Sequence, residues 1–165
     1  MSDINLFENL SADQYSELKS SLPLITVLVA GADGEIDAQE LNWAEKLTHI
    51  RSYAQPEALN SFYEDVEQGF HEELEAQIAN LPSDIKEREG IISERLSGLN
   101  KILALLPNDV AYNVYESLTS FAEHIAKASG GFLRFGAVSH EEKHWINLPM
   151  ITPIILEEPL EDEAE

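Results

Sequence analysis

The sequence predicts an all-α bundle, and three observations carry the prediction. Apolar residues recur three and four apart along most of the 165 residues, period-two alternation bounded by hairpin turns is absent, and helix start and stop residues punctuate the chain. Taken in order, Ser11 is placed to cap a first helix while Gln14 reaches back, and Leu22-Pro23 is expected to stop it. Pro23 then opens a second helix to about Ala32. Its LITVLVA run is apolar nearly all round, which puts it in the centre of the bundle. It ends at Asp33-Gly34. A third helix starts at Asp37 and sets Leu41, Ala44, Leu47 and Ile50 on one stripe.

Pro56 suits the first turn of a fourth helix. Its stretch 59–80 is helical but polar, with Glu64, Asp65, Glu67, Glu72, Glu73 and Glu75, so it is expected to be solvated and to break near Gly69. Ser83 is the expected cap of a long helix to about Leu106, with Ile91, Ile92, Leu96, Leu99, Ile102, Leu103 and Leu106 as its stripe. Pro107-Asn108 separates it from a helix over 109–128 carrying Val110, Val114, Leu118, Phe121 and Ile125. After the turn SGGFLRFG, whose Phe132, Leu133 and Phe135 are expected to pack, a last helix covers 139–147. The total is about seven helices.

Length and a hydrophobic content of 44% fit one compact domain, expected over 1–151. Residues 152–165, with Pro153, Pro159 and a closing acidic run, read as an acidic, partly disordered tail. Ten Lys and Arg against 31 Asp and Glu give a net charge of −21, which repels phosphates and argues against nucleic acid and anionic lipid as partners. A basic protein or a metal cation suits that field. Cysteine is absent, so disulfides, thiolate metal sites and thiol chemistry are excluded. The run 22–32 is too short to span a bilayer and MSDINLFENL has no basic leader region, so the expectation is a soluble, cytoplasmic protein without membrane insertion.

Two distant stretches repeat one another. Val29-Ala30-Gly31-Ala32-Asp33-Gly34 parallels Ile125-Ala126-Lys127-Ala128-Ser129-Gly130, and after six inserted residues Gly34, Ile36, Asp37, Glu40 and Trp43 parallel Gly136, Val138, Ser139, Glu142 and Trp145. Each copy has an apolar helix, a small-residue turn, a capping residue and a Glu three residues later. At AGADGEIDAQE and AKASGGFLRFGAVSHEE the chain resembles the TerB-like family of tellurite-resistance proteins, small all-helical bundles built on a pseudo-two-fold pair of such units. The resemblance spans about 21–151. It implies a non-enzymatic role in the stress response to tellurite or related insults, with acidic turn residues as a metal site. Ser129 departs from the family's aspartate and the second turn is longer, so the two turns are not expected to ligate equivalently.

Within VAGADGEIDAQE, Asp33, Asp37 and Glu40 fall at the fifth, ninth and twelfth positions of an EF-hand loop, but Val29 and Gly31 occupy positions that need side-chain oxygens. A cation site therefore has to pool ligands from both turns, with Asp33, Asp37, Glu40, Glu142 and His144 as candidates. Oxygen ligands favour calcium or magnesium, added imidazole shifts the choice to zinc, and no organic cofactor is expected. Capping alone accounts for Asp37 with Glu40 and for Ser139 with Glu142, and two helix dipoles oppose a cation there. Asp33 is the residue that a cap does not require.

His140 and His144 are four apart on a helix, and Glu141 with His144 is a Glu-x-x-His element. A di-iron site needs two such elements; Glu45 with His49 has the wrong spacing, and surface histidines are the plainer reading. Trp43 and Trp145 are expected in the core. The nucleophile elbow, the P-loop and the dinucleotide fingerprint are absent. The reading is a non-enzymatic module that binds a metal ion, a partner protein, or both. Its rivals are a metalloenzyme using Glu40, Glu141, Glu142 and His144, and an acidic interaction domain whose turns only cap helices.

Overall fold

The computed structural model describes residues 6–32, 36, 38–54, 57–133 and 140–156, with the backbone alone at 129–133 and 140–142. Among these residues all regular structure is helical: α1 (Ala12–Ala30), α2 (Ala38–Arg51), a 3-10 turn (Glu57–Leu59), α3 (Asn60–Asn80), α4 (Ile85–Ser97), α5 (Leu99–Leu103), α6 (Asn108–Leu133) and α7 (His140–Trp145). No helix described is long and apolar enough to cross a membrane.

α1 begins as expected. The Gln14 backbone N–H donates to Ser11 Oγ at 3.1 Å, and the Ser11 N–H donates to Gln14 Oε1 at 2.8 Å, a complete capping box. Contrary to expectation, α1 does not stop at Pro23 but runs through it to Ala30. An interior proline costs about 3 kcal/mol, whereas burying one Leu, Ile or Val side chain stabilises by about 1.5–3 kcal/mol. Leu18, Leu22, Leu24, Ile25, Val27, Leu28 and Val29 are all buried around it, so burial wins. Nearby, Ser21 Oγ and Thr26 Oγ1 donate to the carbonyls of Leu18 and Leu22 at 2.5 and 2.8 Å. The apolar half of α1 is the centre of the bundle, as predicted, and α1 contacts each of α2 to α7.

α3 also runs through its expected break. Phe62, Tyr63, Val66, Phe70 and Leu74 form a buried stripe, while Glu64, Asp65, Glu72 and Glu75 face water. Gly69 lies on the exposed side, and a Cβ there would meet nothing within 4 Å. A glycine without steric demand weakens a helix but does not end it. α4 is capped by Asp84, whose carboxylate accepts the Glu87 N–H at 3.0 Å, instead of Ser83; a charged acceptor is favoured at the positive helix end. The expected long helix divides at Gly98, whose N–H turns back to Arg95 O at 3.1 Å. Its stripe persists across the break: Ile92, Leu96, Leu99, Ile102, Leu103 and Leu106 are buried, and Ile91, 41% exposed, drops out.

The buried face of α6 is the predicted one, Val110, Val114, Leu118, Phe121 and Ile125. The helix extends to Leu133, so its backbone takes in residues expected in the glycine-rich turn. The side chains of Phe132 and Leu133, and all of Phe135, lie outside the described residues, as do Pro56 and residues 157–165 of the tail expected over 152–165. After α7 the chain turns at Leu148, fully buried at φ 48°, and Ile151 is buried as well. Holding a leucine in the left-handed region costs about 1–2 kcal/mol, which its burial offsets. Asn100 grips the next residues: its Oδ1 accepts the Thr152 N–H at 2.8 Å and its Nδ2 donates to Met150 O at 3.2 Å.

Gly69→Ala and Gly90→Ala, both in open space on helices, should each stabilise the fold by about 0.5–1 kcal/mol. Gly31→Ala should destabilise it, because the added Cβ would sit 2.7 Å from Arg88 Nη2 and 3.0 Å from Val27 O. Urea unfolding of the three variants checks the signs.

Candidate functional site

The turn between α1 and α2 is built from both ends. On its leading side, Gly31 donates to Val27 O at 2.9 Å and its own carbonyl accepts Arg88 Nη2 at 2.9 Å. Arg88 is only 6% exposed. A helix C-terminus carries partial negative charge, so a guanidinium placed there stabilises the end of α1 and fixes where the turn begins. On the trailing side, Glu40 lies in the first turn of α2 and is 1% exposed. Of the other candidate ligands, Asp33 and Asp37 lie outside the described residues, and so does the side chain of Glu142. His144 is exposed on α7, its ring edge-on to Trp145 with centroids 4.4 Å apart. Among the described residues no group of three or more His, Asp and Glu is disposed to hold a metal ion.

The two repeated tryptophans are half-buried and not core residues. Trp145 donates from Nε1 to Glu89 Oε2 at 3.1 Å, which ties α7 to α4 beside the residue that holds Gly31. Trp43 instead walls an open cleft of about 440 Å³ with Gln39, His124, Lys127 and Ala128. The two helix ends differ in their cover: α4 closes over the end of α1, while α6 near His124 and Lys127 is met by α2.

Sequence reasoning missed Arg88, although a signal existed. Arg88, Ile92 and Leu96 are spaced by four, so the arginine continues a buried stripe. It also missed the pairing of α2 with α3. His49 Nδ1 lies 2.5 Å from Glu67 Oε2 and His71 Nδ1 lies 3.3 Å from Glu45 Oε1, while within α3 the Nε2 of His71 lies 3.2 Å from Glu75 Oε2, one helical turn on. No spacing within one helix announces cross-helix pairs. Because carboxylates engage both nitrogens of His71, the charged form of the ring is favoured.

A third cluster is structural. Arg51 Nη1 donates to Tyr63 Oη, Ser117 O and Ser117 Oγ at 3.1, 2.7 and 3.0 Å, and Nη2 donates to Ser120 Oγ at 2.8 Å. Tyr63 Oη and Ser117 Oγ are bonded to each other as well. The guanidinium lies 5.5 and 5.6 Å from the ring centres of Tyr63 and Phe121. One side chain therefore fastens the end of α2 to α3 and α6.

Arg51→Met should destabilise the protein by about 2 kcal/mol, since it strips charged donors from the buried Tyr63 and Ser117 and the half-buried Ser120; urea unfolding measures it. The hydrogen bond to Glu45, followed by the charges of Glu75, Glu45 and Glu72, raises the His71 pKa above 6.5 against a small opposing desolvation. A raised pKa contributes stability that is fully present below 6.5 and is lost as pH rises through the folded-state value. The difference in melting temperature between wild type and His71→Gln should therefore be largest below 6.5 and vanish above the folded-state pKa. NMR titration of the His71 ring should place its midpoint above 6.5.

No family model matches the chain, and neither a curated protein nor a solved structure does so, which leaves the TerB-like resemblance on the turn residues themselves.

Proposed function

We propose that the chain is a non-enzymatic, TerB-like binding module of the cytoplasm that takes a divalent cation at its acidic turns and meets a basic partner protein, in the response to tellurite or a related stress. The acidic first turn carries this reading: Asp33, Asp37 and Glu40 stand close together in the sequence of a chain of net charge −21, a field that draws cations. A calcium, magnesium or zinc ion would be held by Glu40 with Asp33 and Asp37, and by Glu142 and His144 from the second turn. The helix contacts support the two-fold relation this pooling needs. α2 packs on α6 as α7 packs on α1, and α1 meets α2 as α6 meets α7, the reciprocal pattern of a repeated helix–turn–helix unit. The exposed acids of α3 suit a basic partner.

Calorimetric titration of chelator-stripped protein with calcium, magnesium and zinc tests the cation. One of the three should bind saturably and raise the melting temperature, by the equivalent of about 2.7 kcal/mol at a hundredfold excess over Kd. Asp33→Asn and Glu40→Gln should each abolish the shift; Asp33→Asn should leave the metal-free protein as stable as wild type or more so through relief of acidic repulsion, and Glu40→Gln should cost little because Gln can serve in the cap. A wild-type protein with neither heat nor shift would reduce these turns to helix caps.

A further inference from the structure

A cleft lies where residues 6–12 cross the start of α3. Its volume, about 540 Å³, is that of a small-molecule site. Its apolar part is a packed aromatic group with Leu10 beside it: Phe7 stands 5.5 Å from Tyr15 and 5.4 Å from Phe62, centre to centre, and Tyr15 stands 6.0 Å from Phe62. Glu8 and Asp65, with Ser11 and Ser61, join the Tyr15 phenol as the polar lining of the cleft, and no described lysine or arginine belongs to it.

The acidic wall is ordered in advance. Tyr15 Oη donates to Asp65 Oδ2 at 2.6 Å, and burial, with the bond to Asp65 and its charge, pushes the tyrosine well above its usual pKa, so the phenol keeps its proton and its donor role. The Lys19 ammonium lies 5.2 Å from the Tyr15 ring centre. That ring already serves one cation, so a second positive group entering the cleft is directed to the carboxylates.

We infer that this cleft binds a small organic amine, its apolar body against Phe7, Leu10 and Phe62 and its ammonium at Asp65 and Glu8. An anion would face two carboxylates in a chain of net charge −21. A neutral ligand would strip water from those carboxylates without replacing it. A bare metal ion would find two acids beside apolar walls, too few ligands for a hard cation. The inference is independent of the cation at the turns.

Calorimetry and NMR with 4-phenylbutylammonium, the neutral 4-phenylbutanol and the anion 4-phenylbutyrate test it on the full chain. The amine should bind one to one, about tenfold or more tighter than the alcohol, and the butyrate should not bind. The shifts it causes should centre on Phe7, Tyr15 and Phe62. Asp65→Asn should bring the amine down to the level of the alcohol while leaving the alcohol unchanged, and Leu10→Trp should close the cleft to both, with melting curves showing that each variant folds. Equal binding of amine and alcohol, an unaltered affinity in Asp65→Asn, or shifts spread along the acidic face of α3 would each overturn the assignment. So would binding of a capped Phe-Arg dipeptide amide in the absence of any amine binding, which would make the cleft a seat for a partner protein's side chain.

Discussion

From Ser21 to Ala32 every residue is buried, proline included. A helix that is apolar on every side has no face to leave in water, so it must be covered all the way round. The arrangement of α2 to α7 is the answer to that demand, since each of them touches α1. The same demand explains why Pro23 is tolerated. Its missing N–H is one lost bond, set against a dozen consecutive positions that would otherwise face water.

Positive charge is scarce in this chain, and two of its arginines work as internal fasteners. Arg51 and Arg88 are held by hydroxyls and main-chain carbonyls, groups whose bonds to a guanidinium do not depend on the ionisation of an acid. Most of the described acids are left for the outside, where they crowd the solvent face of α3, Glu40 being the buried exception. His71 relieves part of that crowding, set between Glu45 of α2 and Glu75 of its own helix.

The features legible in the sequence were those set by local chemistry. The Ser11 box, the buried stripe of α6 and the all-round burial of 24–30 follow from spacing and side-chain type alone. Helix continuity was misread at Pro23 and Gly69 because local propensity is worth up to a few kcal/mol and tertiary burial outweighs it, and misread in the opposite sense at Gly98, where an unbroken apolar stripe hid a change of direction. The acids of α3 drew attention from Phe62, Val66, Phe70 and Leu74, which share the helix with them and decide its packing. Of the candidate metal group, the sequence placed Glu40 in the first turn of α2, but its burial depends on what packs over that turn. The amine cleft joins residues some fifty positions apart, such as Tyr15 and Asp65, and no motif spans that distance.

The central position of α1 has a consequence for synthesis. α1 is made early, yet one of the helices that cover it, α6, starts only at Asn108. At roughly 5–20 residues per second, several seconds to well over ten pass between the emergence of the two. For that interval the nascent chain carries an apolar segment with one side unsheltered, the kind of surface that chaperones bind and that neighbouring nascent chains can capture. Completion of the fold is thereby tied to the arrival of the distal half, and a chain released before α6 would present its most water-averse helix to the cell.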